Sequence, residues 1–148
     1  MYCQRLVPLL EQVLEKNPAK VKVVHKNFPL QNHKFAQKAA AAALAADRQE
    51  KFWPFHGRLF DNYNRLSDQK IQEIAVSLGL NMETFNNDFK NPAIQAKVRQ
   101  DFQDGNRADV RGTPAVYING RFMKNRNLTL AGIQEVIDKE LGKISGKK

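Results

Sequence analysis

A chain of 148 residues suits one domain with enough material for a buried core, and 42% hydrophobic with 26% charged residues is ordinary for a globular protein. Its 24 Lys and Arg against 15 Asp and Glu give a net charge of +9, but the cations are scattered except in GRFMKNRN and the terminal GKISGKK, so no nucleic-acid partner is expected. One cysteine excludes an internal disulfide and a cysteine-rich metal site, and the three histidines His25, His33 and His56 lack metal-ligand spacing, so neither metal nor organic cofactor is expected.

No stretch has the apolar length of a membrane span, since AQKAAAAALAA is too short, and no secretory signal peptide is read at the start. The chain opens inside a structural element without an N-cap region, which reads as a fragment, a processed form or an engineered chain. The first helix is predicted from Tyr2 to Lys16, where Leu6, Leu9, Leu10, Val13 and Leu14 recur at three- and four-residue steps. Pro8 inside that stripe should bend it, because proline lacks the N–H and crowds the preceding turn. Next, the β-branched run Val21 to Asn27 predicts a strand, closed by Pro29.

A helical block follows. HKFAQKAAAAALAADRQ combines high helix propensity with a small-residue face for close packing. KFWPFHGRLFDNY continues helical, with Phe52, Phe55, Leu59 and Phe60 as an aromatic stripe read as core. Core roles are expected for Trp53 and Phe55, a substrate groove lined by Trp53, Phe55 and His56 being the alternative; His25 and His33 read as surface or junction residues. Ser67 caps LSDQKIQEIAVSLGL, which ends near Gly79. NMETFNNDFKN forms a short helix, and Pro92 opens another running to about Gly105.

Helical periodicity then stops at VRGTPAVYINGRFM. Ala115 to Ile118 read as a short strand, Asn119-Gly120 as a hairpin turn, and Arg121 to Met123 as the returning strand. TLAGIQEVIDKELGK closes the chain as a helix with Leu130, Ile133, Val136, Ile137 and Leu141 on one face.

Two stretches make this order specific. RGTPAVYING sets Thr113-Pro114 directly before a strand and a tight turn, and MYCQRLVP looks like the tail of a Cys-X-X-Cys motif followed by its helix. With NFPLQNHKFAQKAAAAALAA and KFWPFHGRLF, these resemble the DsbA family of thiol-disulfide oxidoreductases over essentially the whole chain. The resemblance implies an α/β, thioredoxin-like fold with a helical insertion and the N-terminal strand missing. Residues 1–31 and 107–148 would form the thioredoxin-like portion and 32–106 the insertion. It also implies a cis-proline at Pro114 facing the active site, Thr113 offering backbone hydrogen bonds to an extended substrate peptide, and Tyr2 and Cys3 in the last two motif positions.

In that alignment Met1 takes the position often held by proline, and the nucleophilic first cysteine would lie one residue earlier. Exchange requires a thiolate at a helix N-terminus and a second thiol to resolve the mixed disulfide. Cys3 corresponds to the second. The expectation is therefore a thiol-disulfide oxidoreductase of the DsbA type, impaired in this chain, with the inert buried cysteine as the bland alternative. Its partners would be reduced or misoxidised protein substrates and an electron acceptor, and its place the periplasm or the exterior. A peptide-binding thioredoxin-like module without redox turnover is the rival reading. Without the missing strand, Val21–Asn27 and Ala115–Ile118 would expose unpaired edges, which predicts a homo-oligomer.

Overall fold

A computed structural model describes residues 2–145. The elements run α1 (Tyr2–Lys16), α2 (Ala36–Asp47), α3 (Phe52–Asp61), α4 (Asp68–Ser77), α5 (Met82–Lys90), α6 (Pro92–Arg107), β1 (Val116–Ile118), β2 (Arg121–Met123) and α7 (Leu130–Ser145), with 3-10 turns at Tyr63–Arg65 and Asn125–Asn127. They fall into two compact units. One holds the segments up to His25 and from Gly112 onward; the other is Lys26–Arg111.

In the helical unit, Lys26–Arg111, the alanine run is the centre. Ala41, Ala42, Ala43, Ala45 and Ala46 are at most 1% exposed, and α2 packs against α3, α4, α5 and α6. Methyl side chains let neighbouring backbones approach closely on several sides while retaining high helix propensity. Phe55 and Phe85 fill the space beside them, ring centroids 5.6 Å apart and both fully buried. Fully burying one such ring contributes about 1.5–3 kcal/mol. Side chains that answer the first unpaired N–H groups set the helix starts. Ser67 Oγ accepts from the Lys70 N–H at 3.0 Å, Asn81 Oδ1 from the Thr84 N–H at 2.9 Å, and Asn91 Oδ1 from the Ala93 N–H at 2.9 Å beside Pro92 at the first helical position.

A buried carboxylate ties the segment before α2 to α6. Asp101 is 1% exposed; its Oδ2 accepts from the Asn27 N–H at 3.1 Å and from Asn27 Nδ2 at 3.0 Å. Lys97 bonds its other oxygen, and Lys26 Nζ lies 3.3 Å from it. Burial would push this carboxyl up, but Lys97, the two Asn27 donors and Lys26 outweigh it and hold Asp101 below its ordinary value. Lys26 also reaches Asp104 Oδ2 at 3.0 Å and is itself raised, first by Asp104 and then by Asp101.

The predicted strand at residues 21–27 is corrected by this arrangement. Burial alternates residue by residue from Val21 to Asn27, the mark of extended chain, but no strand is assigned there. The Asn27 N–H is given to the Asp101 side chain rather than to a neighbouring strand. β-Branched residues set the local conformation; a strand also needs a ladder partner.

In the other unit, α1 packs against α7 around Val13, Met123, Ile133 and Ile137, each at most 5% exposed. Leu6, Val21, Val116, Leu130, Val136 and Leu141 pack against that core. Leu14, predicted on the apolar stripe of α1, is 39% exposed and lies at its margin. Pro8 lies within α1, which is helical from Tyr2 through Lys16. At the end of α1, Asn17 is 5% exposed and exchanges two hydrogen bonds with Gln134 of α7, donating at 2.8 Å and accepting at 3.0 Å. Its Nδ2 also donates to the Val13 carbonyl at 2.7 Å.

The β1–β2 hairpin pairs Val116 with Met123, Tyr117 with Phe122 and Ile118 with Arg121. Asn119 at φ +46° and Gly120 at φ +78° form the turn, both in the left-handed region that a two-residue hairpin of this type requires. Alternation then sends Val116, Ile118 and Met123 to the core and leaves Tyr117 and Phe122 outside, their rings 5.3 Å apart.

Candidate active site

Cys3 is the second residue of α1, and its side chain is partly exposed. Tyr2 before it is 76% exposed. Thr113 and Pro114 lead into β1, both half-buried, and the peptide bond between them is cis. These four residues belong to the same compact unit, brought there by the chain's return through β1, β2 and α7. The arrangement therefore offers, among the described residues, one free, partly exposed cysteine on a helix's first turn. Among the described residues, no group of three or more His, Cys, Asp or Glu could hold a metal ion.

Trp53, Phe55 and His56 lie in the helical unit. Phe55 is fully buried, but Trp53 is 46% exposed, which corrects its core reading. The reason is helical phase: Phe52, Phe55 and Leu59 form the buried stripe, and Trp53, one residue after Phe52, points about 100° away from it. Trp53 meets Phe52 edge-on at 5.1 Å, and His56 stacks on Phe52 at 5.4 Å and meets the Phe60 edge at 4.8 Å. His33 is exposed and His25 half-buried.

Two features escaped the sequence reading. Asp101 stands where the stripe of α6 through Ile94 and Val98 calls for an apolar residue, and a carboxylate at such a position four after Lys97 was a usable sign of a buried ion pair. The second is a groove of about 360 Å³ along β2 and α7, with apolar lining from Met123 and Val136 and cations Arg121, Lys124, Arg126 and Lys139. GRFMKNRN supplies three of those cations; Lys139 joins them through the fold.

Thus the fold holds a thiol on the first turn of a helix and, in the same unit, a proline-led hairpin. The chain belongs to the thioredoxin family, whose family model, described as Thioredoxin, matches residues 1–139. It is similar to the Na(+)/H(+) antiporter NhaA 3 of Salinispora tropica, at 30% identity over 121 residues, covering 81% of this chain and 18% of that protein. It is also similar to the probable disulfide bond formation protein D of Bacillus anthracis, at 28% identity over 143 residues, 91% of this chain and 64% of that one. The chain thus spans about a fifth of the length of the antiporters it matches. Among solved structures, the thiol-disulfide exchange protein alpha-DsbA2 from Wolbachia pipientis aligns with a TM-score of 0.82 at 22% identity, over 93% of this chain and 74% of that one. That likeness shows the thioredoxin-like fold.

Proposed function

We propose that the protein acts in thiol-disulfide exchange with protein substrates, through Cys3. The observation that carries this reading is the free, partly exposed Cys3 on the first turn of α1 in a chain of the thioredoxin family. The thiolate is the attacking species in exchange.

The Cys3 thiolate attacks one sulfur of a substrate disulfide. A bond forms from Cys3 Sγ to that sulfur, the substrate S–S bond breaks, and the second sulfur leaves as a thiolate. A second thiol then attacks the mixed disulfide, takes over the substrate sulfur and releases the Cys3 thiolate. Thr113 and Pro114, before β1, would hold the substrate backbone, and Tyr2 would lie beside it. Misoxidised proteins are the substrates of this step. A reduced protein is oxidised when its thiolate attacks Cys3 already held in a mixed disulfide with a separate electron acceptor, whose thiol leaves; a second substrate thiol then displaces Cys3. The cell envelope is the compartment where such exchange is required. No helix among the described residues is long and apolar enough to cross a membrane.

The test uses a disulfide-bonded peptide and intact-mass spectrometry. The chain should gain one peptide half at Cys3 faster than free cysteine does, and then lose it to a reduced protein thiol. Cys3→Ser should gain none. Adduct formation no faster than with free cysteine would overturn the exchange reading. The exposed Tyr2 and the half-buried Thr113 and Pro114 in the unit of Cys3 also favour a second reading, a peptide-binding module without redox turnover. Undiminished peptide binding by Cys3→Ser, with no rapid adduct in the native chain, would select it.

A further inference from the structure

We propose that the groove along β2 and α7 docks an extended acidic peptide segment carrying an apolar side chain. Arg121, Lys124, Arg126 and Lys139 line it, and no carboxylate does. Two of these cations are answered from outside the lining: Glu135 takes Lys139 at 2.5 Å, and Glu140 takes Arg121 at 3.3 Å. Lys124 and Arg126 are exposed and make no ion pair among the described residues. An occupant's carboxylates would supply the missing counter-charge on the groove rim.

The shape selects a peptide. Met123 and Val136 provide apolar lining in a space of about 360 Å³, enough for one side chain to enter. Phe122 also lines it, 55% exposed, next to Tyr117. Among the described residues β2 pairs with β1 alone, so its other edge has no strand partner, which is what strand addition uses. Main-chain pairing, an apolar pocket and cationic walls together match an acidic segment in extended form. A bilayer surface would use the charge but neither the strand edge nor the concavity.

The probe is a fluorescein-labelled octapeptide of alternating glutamate and leucine, followed by fluorescence anisotropy at low salt. Saturable binding is expected, weakening as salt screens the charges. Lys124→Glu with Arg126→Glu should weaken it by about tenfold or more, since like charge now faces the peptide. Both residues are exposed, and circular dichroism will show that the variant keeps its helices. The control pair Lys51→Glu with Lys90→Glu, exposed residues of the helical unit, changes net charge equally and should stay within about twofold. Three results would each overturn the proposal: no saturable binding, equal loss in both variants, or groove-dependent binding to phosphatidylglycerol vesicles with none to the peptide.

Discussion

Replacing Asp101 with alanine should be among the most damaging single changes in the helical unit. The substitution leaves the Asn27 N–H and its Nδ2, held at 3.1 and 3.0 Å in a residue 5% exposed, without their acceptor. Each orphaned buried donor costs about 1–3 kcal/mol. Loss of the pairs with Lys97 and Lys26, both about half-exposed, adds about 0.2–1 kcal/mol each. Relief from burying the charge offsets part of this, so the expected cost is about 3–5 kcal/mol, against a typical total of about 5–15 kcal/mol. Asp101→Asn keeps an accepting oxygen and should cost about half as much. Urea unfolding followed by far-UV circular dichroism measures both. The pH dependence has a definite sign. Because the folded carboxyl is held below 3.8, its stabilisation is complete above that value and is lost as pH falls through the lower, folded value. The gap between the native chain and Asp101→Asn should therefore narrow in acid. A cost below about 1 kcal/mol for Asp101→Ala, or a gap that does not change with pH, would refute this account.

Gly105→Ala should cost about 1–3 kcal/mol, because a Cβ there would stand 2.5 Å from the Phe28 ring; moving that ring disturbs its stack on Phe102 at 4.7 Å, and thermal unfolding will report the loss. In the unit of α1 and α7, Asn17→Ala and Gln134→Ala should each destabilise, and their double mutant should cost less than the sum by about 0.5–3 kcal/mol, because both remove the same reciprocal pair. Ser67→Ala should cost about 1 kcal/mol through the lost cap on α4, which a shift in urea midpoint at constant slope would register. Phe55→Ala should cost about 3–5 kcal/mol, since that ring is fully buried against Phe85.

What could be read without coordinates was what neighbours in the chain decide. The span of α1, the cap at Ser67, the start of α6 at Pro92 and the turn at Asn119-Gly120 follow from groups a few residues apart. The residues 21–27 failed as a strand because pairing depends on a partner far along the chain, and local preference carries no information about it. Asp101 was only half legible for a related reason: Lys97 lies four residues before it, but its other partners, Asn27 and Lys26, lie more than seventy positions away. The core role expected for Trp53 fails because it lies off the stripe of Phe52, Phe55 and Leu59, where one residue of offset turns a helical side chain toward solvent. Of the candidate site, Cys3, Thr113 and Pro114 are motif positions of the resemblance, which also set both chain ends in one portion; the structure holds them in one compact unit.

The alanine centre of α2 limits how this sequence can drift. A helix that meets four neighbours largely through methyl groups has no spare volume into which a longer side chain could rotate. Each added methylene would have to be absorbed by displacing a whole helix, and overpacking of this kind typically costs about 1–3 kcal/mol. Changes there must therefore arrive in compensating pairs, a gain in bulk on α2 matched by a loss on α3, α4, α5 or α6. Solvent-facing positions such as Val76, at 61% exposed, carry no such constraint. Tolerance in this unit accordingly rises outward from its smallest residues, and a variant library of the alanine run should retain far fewer folded members than one of equal size built on the outer faces.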